Sequence, residues 1–317
     1  MRAKWAPTLY VGRHALTREI GKHMSGRPRA AAGFFKGHGL GNDYIVVEEG
    51  NTWPLSDAAI QTVCDRWRGP GSDGIVVLLG ADGPPYLLRM FNPDGSEFER
   101  SGNGLRILAA YLASRGRVGR DPFEVRVGGE SLELTVNSVA SNGLYDVTVD
   151  MGRAAFSPDE VGLIEAELEE PGRILGPEGS LEFIGVSIGN PHCVVFRDSL
   201  SDDDLARIGP HLTRHPAFRG GTNVQLAHIV GTNAVEALIW ERGVGPTASS
   251  GTSACAVASA AVWSKSIAPG LVEVRMLGGT LHVDVGEDMD LTLRGPVQEV
   301  YTGELTAGFV EELNGPE

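Results

Sequence analysis

The feature that most constrains this chain is that it repeats itself. Phe123-Glu-Val-Arg126, followed by Gly128-Gly129, returns as Val272-Glu-Val-Arg275 followed by Gly278-Gly279, and Glu124 and Glu273 are 149 residues apart. Ser101-Gly-Asn-Gly104 and Ser250-Gly-Thr-Ser253 stand at the same offset, while Gly41-Asn42 and Gly189-Asn190 are 148 apart. Three landmarks in one order at one spacing mark a tandem duplication, which decides the architecture before any finer reading. The chain must form two similar units.

Each unit carries one clear helix at its middle. Leu105–Leu112 has apolar residues at helical spacing, and Ala254–Trp263 is apolar nearly all round, as a buried helix is. Elsewhere short β-branched runs alternate with Gly, Pro and Asn turns. Strands are predicted at Ile75–Leu79, Glu124–Val127, Asp146–Asp150, Val194–Phe196, Leu238–Trp240 and Asp290–Leu293. The predicted fold class is α+β: two pseudo-symmetric domains, each a mostly antiparallel sheet wrapped round a central helix. The divisions are an N-terminal domain over 34–150, a C-terminal domain over 151–294, and a closing segment over 295–317 that returns to the first domain.

Residues 1–33 lie outside the repeat. Up to residue 32 they hold seven basic residues (Arg2, Lys4, Arg13, Arg18, Lys22, Arg27 and Arg29) against Glu19 alone. Such a segment has the charge of a transit peptide but lacks the apolar core of a secretory signal. The plainer reading is a poorly ordered extension, or a start placed too early with Met24 as the true one.

Two turns carry the chemistry. Ser101 and Ser250 each precede a Gly and open a buried helix. Ser is a good N-cap, and Gly beside it lets a ligand approach the backbone. Unpaired N–H groups and the helix dipole make each terminus an anion site suited to a carboxylate. Halves packed about a pseudo-twofold axis would bring both termini to one cleft, with a Ser hydroxyl on each side of the ligand's adjoining carbon. Each Ser could equally be a simple cap. The matched positions favour a shared site.

Other polar residues stand at strand ends: Asn42, Asn92, Asn190, Asn223 and the pair Glu241-Arg242, with Asn92 and Glu241 again 149 apart. Single Asn residues usually mark turns. Together they resemble a cage for an amino acid, in which Arg takes a carboxylate bidentately while Glu and Asn oxygens take an ammonium. The formal charge of −14 disfavours nucleic acid and anionic lipid as partners. No run approaches the ~20 apolar residues of a membrane helix. Three widely spaced cysteines, Cys64, Cys193 and Cys255, show neither a disulfide framework nor metal-ligand spacing, so a reducing, cytoplasmic setting is expected.

At these residues the sequence resembles the diaminopimelate epimerase family over most of 34–305. The motifs are Phe35-Lys-Gly-His-Gly-Leu-Gly-Asn-Asp43, Asp65-Arg66 with Gly71-Ser-Asp-Gly74, and Phe91-Asn-Pro-Asp-Gly-Ser-Glu97, then Gly189-Asn-Pro-His192, Glu241-Arg-Gly-Val-Gly245 and Gly251-Thr252. The resemblance implies a two-domain fold, a cofactor-free and metal-free cleft, and interconversion of LL- and meso-diaminopimelate, a precursor of lysine and peptidoglycan. It also implies a homodimer. Carried over residue by residue, it assigns substrate binding to Asn42, Asn92, Asn190, Asn223, Glu241 and Arg242. Gly102-Asn103 and Gly251-Thr252 would hold the reacting carboxylate.

The family removes and returns the α-proton with two cysteines, and those positions here are Ser101 and Ser250. A thiol of pKa about 8.5 is brought toward neutrality by a helix N-terminus. An alcohol is not, so each Ser needs a neighbouring base, for which His38, His192 and Asp43 are candidates. Gln225, where the family has Gly, and Pro246 bear on pocket shape. Three readings stay open: an epimerase with assisted serines, a related isomerase of changed substrate or chemistry, and a non-catalytic amino-acid-binding homologue, natural or engineered.

Overall fold

Each central helix starts at its Ser-Gly turn and runs until its apolar face ends. The computed structural model describes residues 32–50, 53–80, 83–98 and 100–315, so the leader reading falls outside the described residues. The first half comprises β1 (Ala32–Gly39), β2 (Asn42–Glu48), α1 (Asp57–Cys64), β3 (Ile75–Leu79), β4 (Tyr86–Phe91), β5 (Glu97–Phe98), α2 (Gly102–Ser114), β6 (Phe123–Val127), β7 (Glu130–Val139) and β8 (Leu144–Arg153). The second half begins with α3 (Pro158–Val161), β9 (Arg173–Gly176), β10 (Gly179–Glu182), β11 (Ile184–Ser187), β12 (Pro191–Phe196), α4 (Asp202–Thr213) and β13 (Asn223–Ile229). It continues through β14 (Ala234–Glu241), β15 (Gly245–Thr247), α5 (Gly251–Trp263), β16 (Gly270–Met276), β17 (Gly279–Val285), β18 (Asp290–Leu305) and α6 (Ala307–Asn314).

The duplication is visible in the strand register. Tyr86 on β4 pairs in parallel with Val125 on β6, and Val235 on β14 pairs in parallel with Val274 on β16. Val125 faces Leu132 across the next hairpin, and Val274 faces Leu281. Every one of these pairs is carried onto its copy by the same 149-residue step. Parallel pairs need a long crossover. In both halves that crossover is the central helix, so the sheet must curl round it.

One mixed sheet of 16 strands results. Its continuity depends on β18. Leu293 pairs with Val149 of β8 on one side and Val283 of β17 on the other, and the strand then runs on to pair with β1 from Gln298 to Leu305. That second pairing closes the first half into a barrel round α2. Only four residues of β18 were predicted, because Gly295-Pro296 reads as a turn. Pro296 is accommodated where β18 passes from β17 to β1 and pairs with β8 alone, so its missing N–H costs no ladder bond there.

Helix α2 buries Leu105, Ile107, Leu108, Ala109, Ala110 and Leu112 completely. Helix α5, ringed by strands, uses small residues instead: Ala254, Ala256, Val257, Ala258, Ala260 and Ala261 are fully buried. The three cysteines are free and buried. No helix among the described residues is long and apolar enough to cross a membrane.

A buried polar clamp fixes α5 to its sheet. The Gln225 amide on β13 donates to Ser253 Oγ on α5 at 3.0 Å and to His192 Nδ1 on β12 at 3.0 Å. His192 Nε2 donates to Asn190 Oδ1 at 2.9 Å. Gln225 therefore does not line a pocket, as its replacement of Gly suggested; it is fully buried behind α5. Burial pushes the His192 pKa down to about 3. The folded protein thus keeps this ring neutral through a range in which the unfolded chain protonates it near 6.5. Stability from this group is complete above pH 6.5 and is lost as pH falls toward 3, at up to about 1.4 kcal/mol per pH unit. Urea denaturation at pH 7, 6 and 5 should show His192→Gln shedding about one proton's worth of that slope. An unchanged slope in the variant removes His192 as its source.

Candidate active site

The first residues of the two central helices touch. A Cβ built on Gly102 would lie 3.4 Å from the Gly251 Cα, and one on Gly251 would lie 3.2 Å from the Gly102 Cα. Each would also come within 2.9 Å of a Leu293 methyl. Glycine at both positions allows this approach without displacing Leu293 or the facing helix. Two positive helix ends and their first-turn N–H groups therefore converge on one point, from Gly102-Asn103 on one side and Gly251-Thr252 on the other.

The two N-cap serines are not alike. Ser101 Oγ accepts from Gly104 N at 3.1 Å, a standard cap. Ser250 has the same extended backbone but makes no side-chain cap, and its Oγ lies 3.5 Å from Thr252 Oγ1. Each hydroxyl also meets one titratable group. Ser101 interacts with the Tyr44 phenol and Ser250 with the Glu241 carboxyl, and the charge of Glu241 opposes ionisation of Tyr44. Both hydroxyls stand at the N-cap positions of helices whose first residues, Gly102 and Gly251, approach each other. Burial raises the Glu241 pKa, opposed by its Ser250 bond and reinforced by Asp73. Burial likewise raises that of Tyr44, holding it as a neutral phenol.

Tyr44 sits on β2, only 6% exposed, its ring flat against Gly74, where a Cβ would fall 2.5 Å from Cε1. The sequence reading overlooked it because an aromatic residue in a buried strand reads as core. Of the three helpers considered from sequence, His192 is committed to the clamp. His38 accepts from Gly41 N at 3.3 Å within its own hairpin. Asp43 ion-pairs with Lys36 Nζ at 2.8 Å and Arg66 Nη2 at 2.6 Å, and these contacts outweigh burial to hold its pKa down.

The cage residues fall into two linked groups and one outlier. Asn103 Nδ2 donates to Asn42 Oδ1 at 2.9 Å, and Asn42 Nδ2 donates to Asp73 Oδ2 at 3.0 Å. On the other wall, the Arg242 amide donates to Asn223 Oδ1 at 2.9 Å and Asn223 Nδ2 to Pro191 O at 3.1 Å. The Arg242 side chain lies along the Gly220-Gly221 turn, where Nη1 donates to Gly220 O at 2.9 Å and Gly221 O at 3.3 Å. It borders a cavity of about 460 Å³ that also touches Trp240 and Arg214. One edge of the guanidinium is thereby anchored. Asn92 is the outlier. Its Nδ2 donates to Ser96 Oγ at 3.0 Å and closes the β4–β5 turn, with no bond to the other cage residues.

Arg106 was also missed. It lies in α2 amid apolar neighbours and is fully buried, with Nη1 donating to Gly102 O at 3.2 Å and Nη2 to Asn103 Oδ1. An arginine inside an apolar helix was the available signal.

The sequence matches the diaminopimelate epimerase family model over residues 34–157 and 184–305. A diaminopimelate epimerase of Desulforudis audaxviator is 39% identical over 85% of this chain and 98% of its own length. Diaminopimelate epimerase 2 of Nostoc sp. is 34% identical over 86% and 95%. A Pseudomonas aeruginosa structure named as a predicted epimerase superposes with a TM-score of 0.64 at 20% identity, covering 87% of this chain and all of its own. A hydroxyproline epimerase of Agrobacterium vitis, with bound trans-4-hydroxy-L-proline, gives a TM-score of 0.62 at 14% identity over 87% and 92%. At those identities the structures speak for the fold alone. The extent of the family match and the identity of the relatives establish that the chain belongs to the diaminopimelate epimerase family.

Proposed function

We propose that the protein is a cofactor-independent amino-acid epimerase that interconverts LL- and meso-diaminopimelate, with Ser101 and Ser250 in place of the family's two cysteines. The observation that carries this reading is the contact of the two helix N-termini with an N-cap hydroxyl at each. A carboxylate seated on the amides of Gly102-Asn103 and Gly251-Thr252 puts its α-carbon between two hydroxyls, the arrangement a two-sided proton transfer needs. The substrate comes from the name the relatives share. Arg242, its backbone amide bound to Asn223, takes the distal amino-acid group, and Asn42, Asn92 and Asn190 keep the substrate-binding role that the family resemblance implies. A cytoplasmic homodimer is part of the same reading and rests on the family alone.

The two faces differ in power. Glu241, its pKa raised, is a serviceable base that takes a proton relayed from the α-carbon through Ser250. On the other face Ser101 is bound to Gly104 N and backed by a phenol held neutral, so no base stands there. The commitment of Ser101 to its cap also favours a second reading, an amino-acid-binding homologue without turnover.

In D₂O with LL-diaminopimelate, the α-proton signal should decay by NMR about tenfold or more faster than the meso isomer accumulates by chiral analysis, given what one positioned base contributes. Equal rates would contradict the asymmetry, and saturable binding without exchange would select the second reading. Replacing both serines with cysteine should raise epimerisation ~100-fold or more, since thiols at helix N-termini ionise where alcohols do not. A folded double variant with no gain would mean that the pocket has diverged. Arg242→Ala should weaken diaminopimelate binding ~100-fold by calorimetry, the value of a charge-assisted contact. Unchanged affinity would discard its assignment.

A further inference from the structure

Arg106 is a buried cation without an anion. It is fully buried, and among the described residues its hydrogen-bond partners are the Gly102 carbonyl and the Asn103 side-chain oxygen. Its Nε has no partner among the described residues. The nearest carboxylate in its hydrogen-bond chain is Asp73, reached only through the Asn103 and Asn42 amides. Asp73 is already paired with Arg66 at 2.6 Å. Burial depresses the Arg106 pKa to about 10, which leaves the group charged at neutral pH. Its charged-state neighbour is Cys255, whose thiol burial pushes up to about 12, so no thiolate is present to balance it.

The space round this guanidinium is built from both halves of the molecule. A Cβ on Gly39 of β1 would fall 2.8 Å from Nη2, one on Gly295 of β18 3.4 Å from Nε, and one on Gly251 of α5 3.6 Å from Nη1. Arg106 and Cys255 are equivalent positions, 149 residues apart, and the Arg106 Nη1 lies against both Gly102 and Gly251 behind their contact. The cation therefore lies directly beneath the point where the two helix N-termini meet, adding a full charge to two partial ones of the same sign.

We propose that Arg106 is a positioning residue whose missing counter-ion is the ligand's α-carboxylate, and that it acts through Gly102 and Asn103 to stabilise that carboxylate most when the α-proton has left. This rests on the epimerase reading above. Breaking the Cα–H bond moves its electron pair toward the carboxylate, whose charge grows from one toward two, while the proton passes to the base on that face. A fixed cation in a low-dielectric chamber favours the more charged species. Loss of Arg106 should therefore reduce the rate of exchange more than it reduces binding.

The test uses full-length protein, with LL-diaminopimelate and its α-carboxamide as probes and thermal melting as the check on folding. Arg106→Gln should lower α-proton exchange at saturating substrate ~100-fold, with a dissociation constant raised less than tenfold, and Arg106→Lys should recover most of the rate. A folded Arg106→Gln protein with unchanged exchange would overturn the inference. So would equal loss in the Lys and Gln variants, the pattern of a purely structural role. Should the wild-type protein bind diaminopimelate without exchange, the epimerase reading fails on its own. The inference is then decided by binding: Arg106→Gln must weaken the carboxylate ligand and leave the carboxamide unaffected. Failure of the wild-type protein to bind either probe would sink both. Should Arg106→Gln not fold, Cys255→Asp in the Arg106 background gives the guanidinium an internal anion. It should raise the melting temperature and lower α-proton exchange at saturating substrate at least tenfold, and unchanged exchange would again overturn the inference.

Discussion

Everything about this molecule's cleft depends on two glycines in contact. Helix N-termini repel one another because each carries a partial positive charge. Gly102 and Gly251 are nevertheless pressed together, with Leu293 wedged against both. The force that holds them comes from elsewhere: a sheet curled round each helix, and one strand, β18, that belongs to both curls. The sheet closes because the helices are apolar on nearly every face, and their polar ends are left to converge where the curls meet. Electrostatic tension at the site is thus maintained by hydrophobic burial in the barrels. On the proposed reading, the ligand's carboxylate relieves it.

Much of this was legible because a duplication writes the same information twice. The two Ser-Gly turns identified the central helices, and the repeated Glu-Val-Arg strands located the hairpins that follow them. Helix α4 escaped, although Ser201 caps it, Asp202-Asp203-Asp204 fill its first turn, and Leu205, Ile208 and Leu212 are buried along one face. Its signal lay in a part of the unit that has no counterpart landmark. Helices α1 and α6, which pack on each other over a smaller apolar cluster, escaped for the same reason. Tyr44, Arg106 and Gln225 were hidden differently. Each occupies a position whose surrounding pattern says core, and only the geometry separates a buried residue that packs from one that faces a site or clamps it.

What sequence could not express is how far the two copies have parted. Positions 101 and 250 carry the same residue, yet one hydroxyl is bound to its own helix and the other is not. Asn92 and Glu241 are equivalent, yet one closes a turn and the other stands beside a hydroxyl. Arg106 and Cys255 are equivalent, and the cation is in one copy only. Such asymmetry suits a ligand whose two faces are mirror-related and whose ends are not.

On the proposed reading, the exchange of cysteine for serine touches only part of the chemistry. Taking a proton from an α-carbon demands two things: a group to accept it, and an environment that tolerates the negative charge left behind. The second demand is the larger, because electrostatic stabilisation in a preorganised, water-poor site is usually the dominant contribution to catalysis. Here that part is held by backbone amides, two helix ends and a buried arginine, none of which involves the residues at 101 and 250 as acids or bases. Serine weakens the proton carrier and leaves the charge environment in place. On that reading the cleft is a carbanion-stabilising site whose proton carrier is backed by a carboxyl group on one face and by a neutral phenol alone on the other.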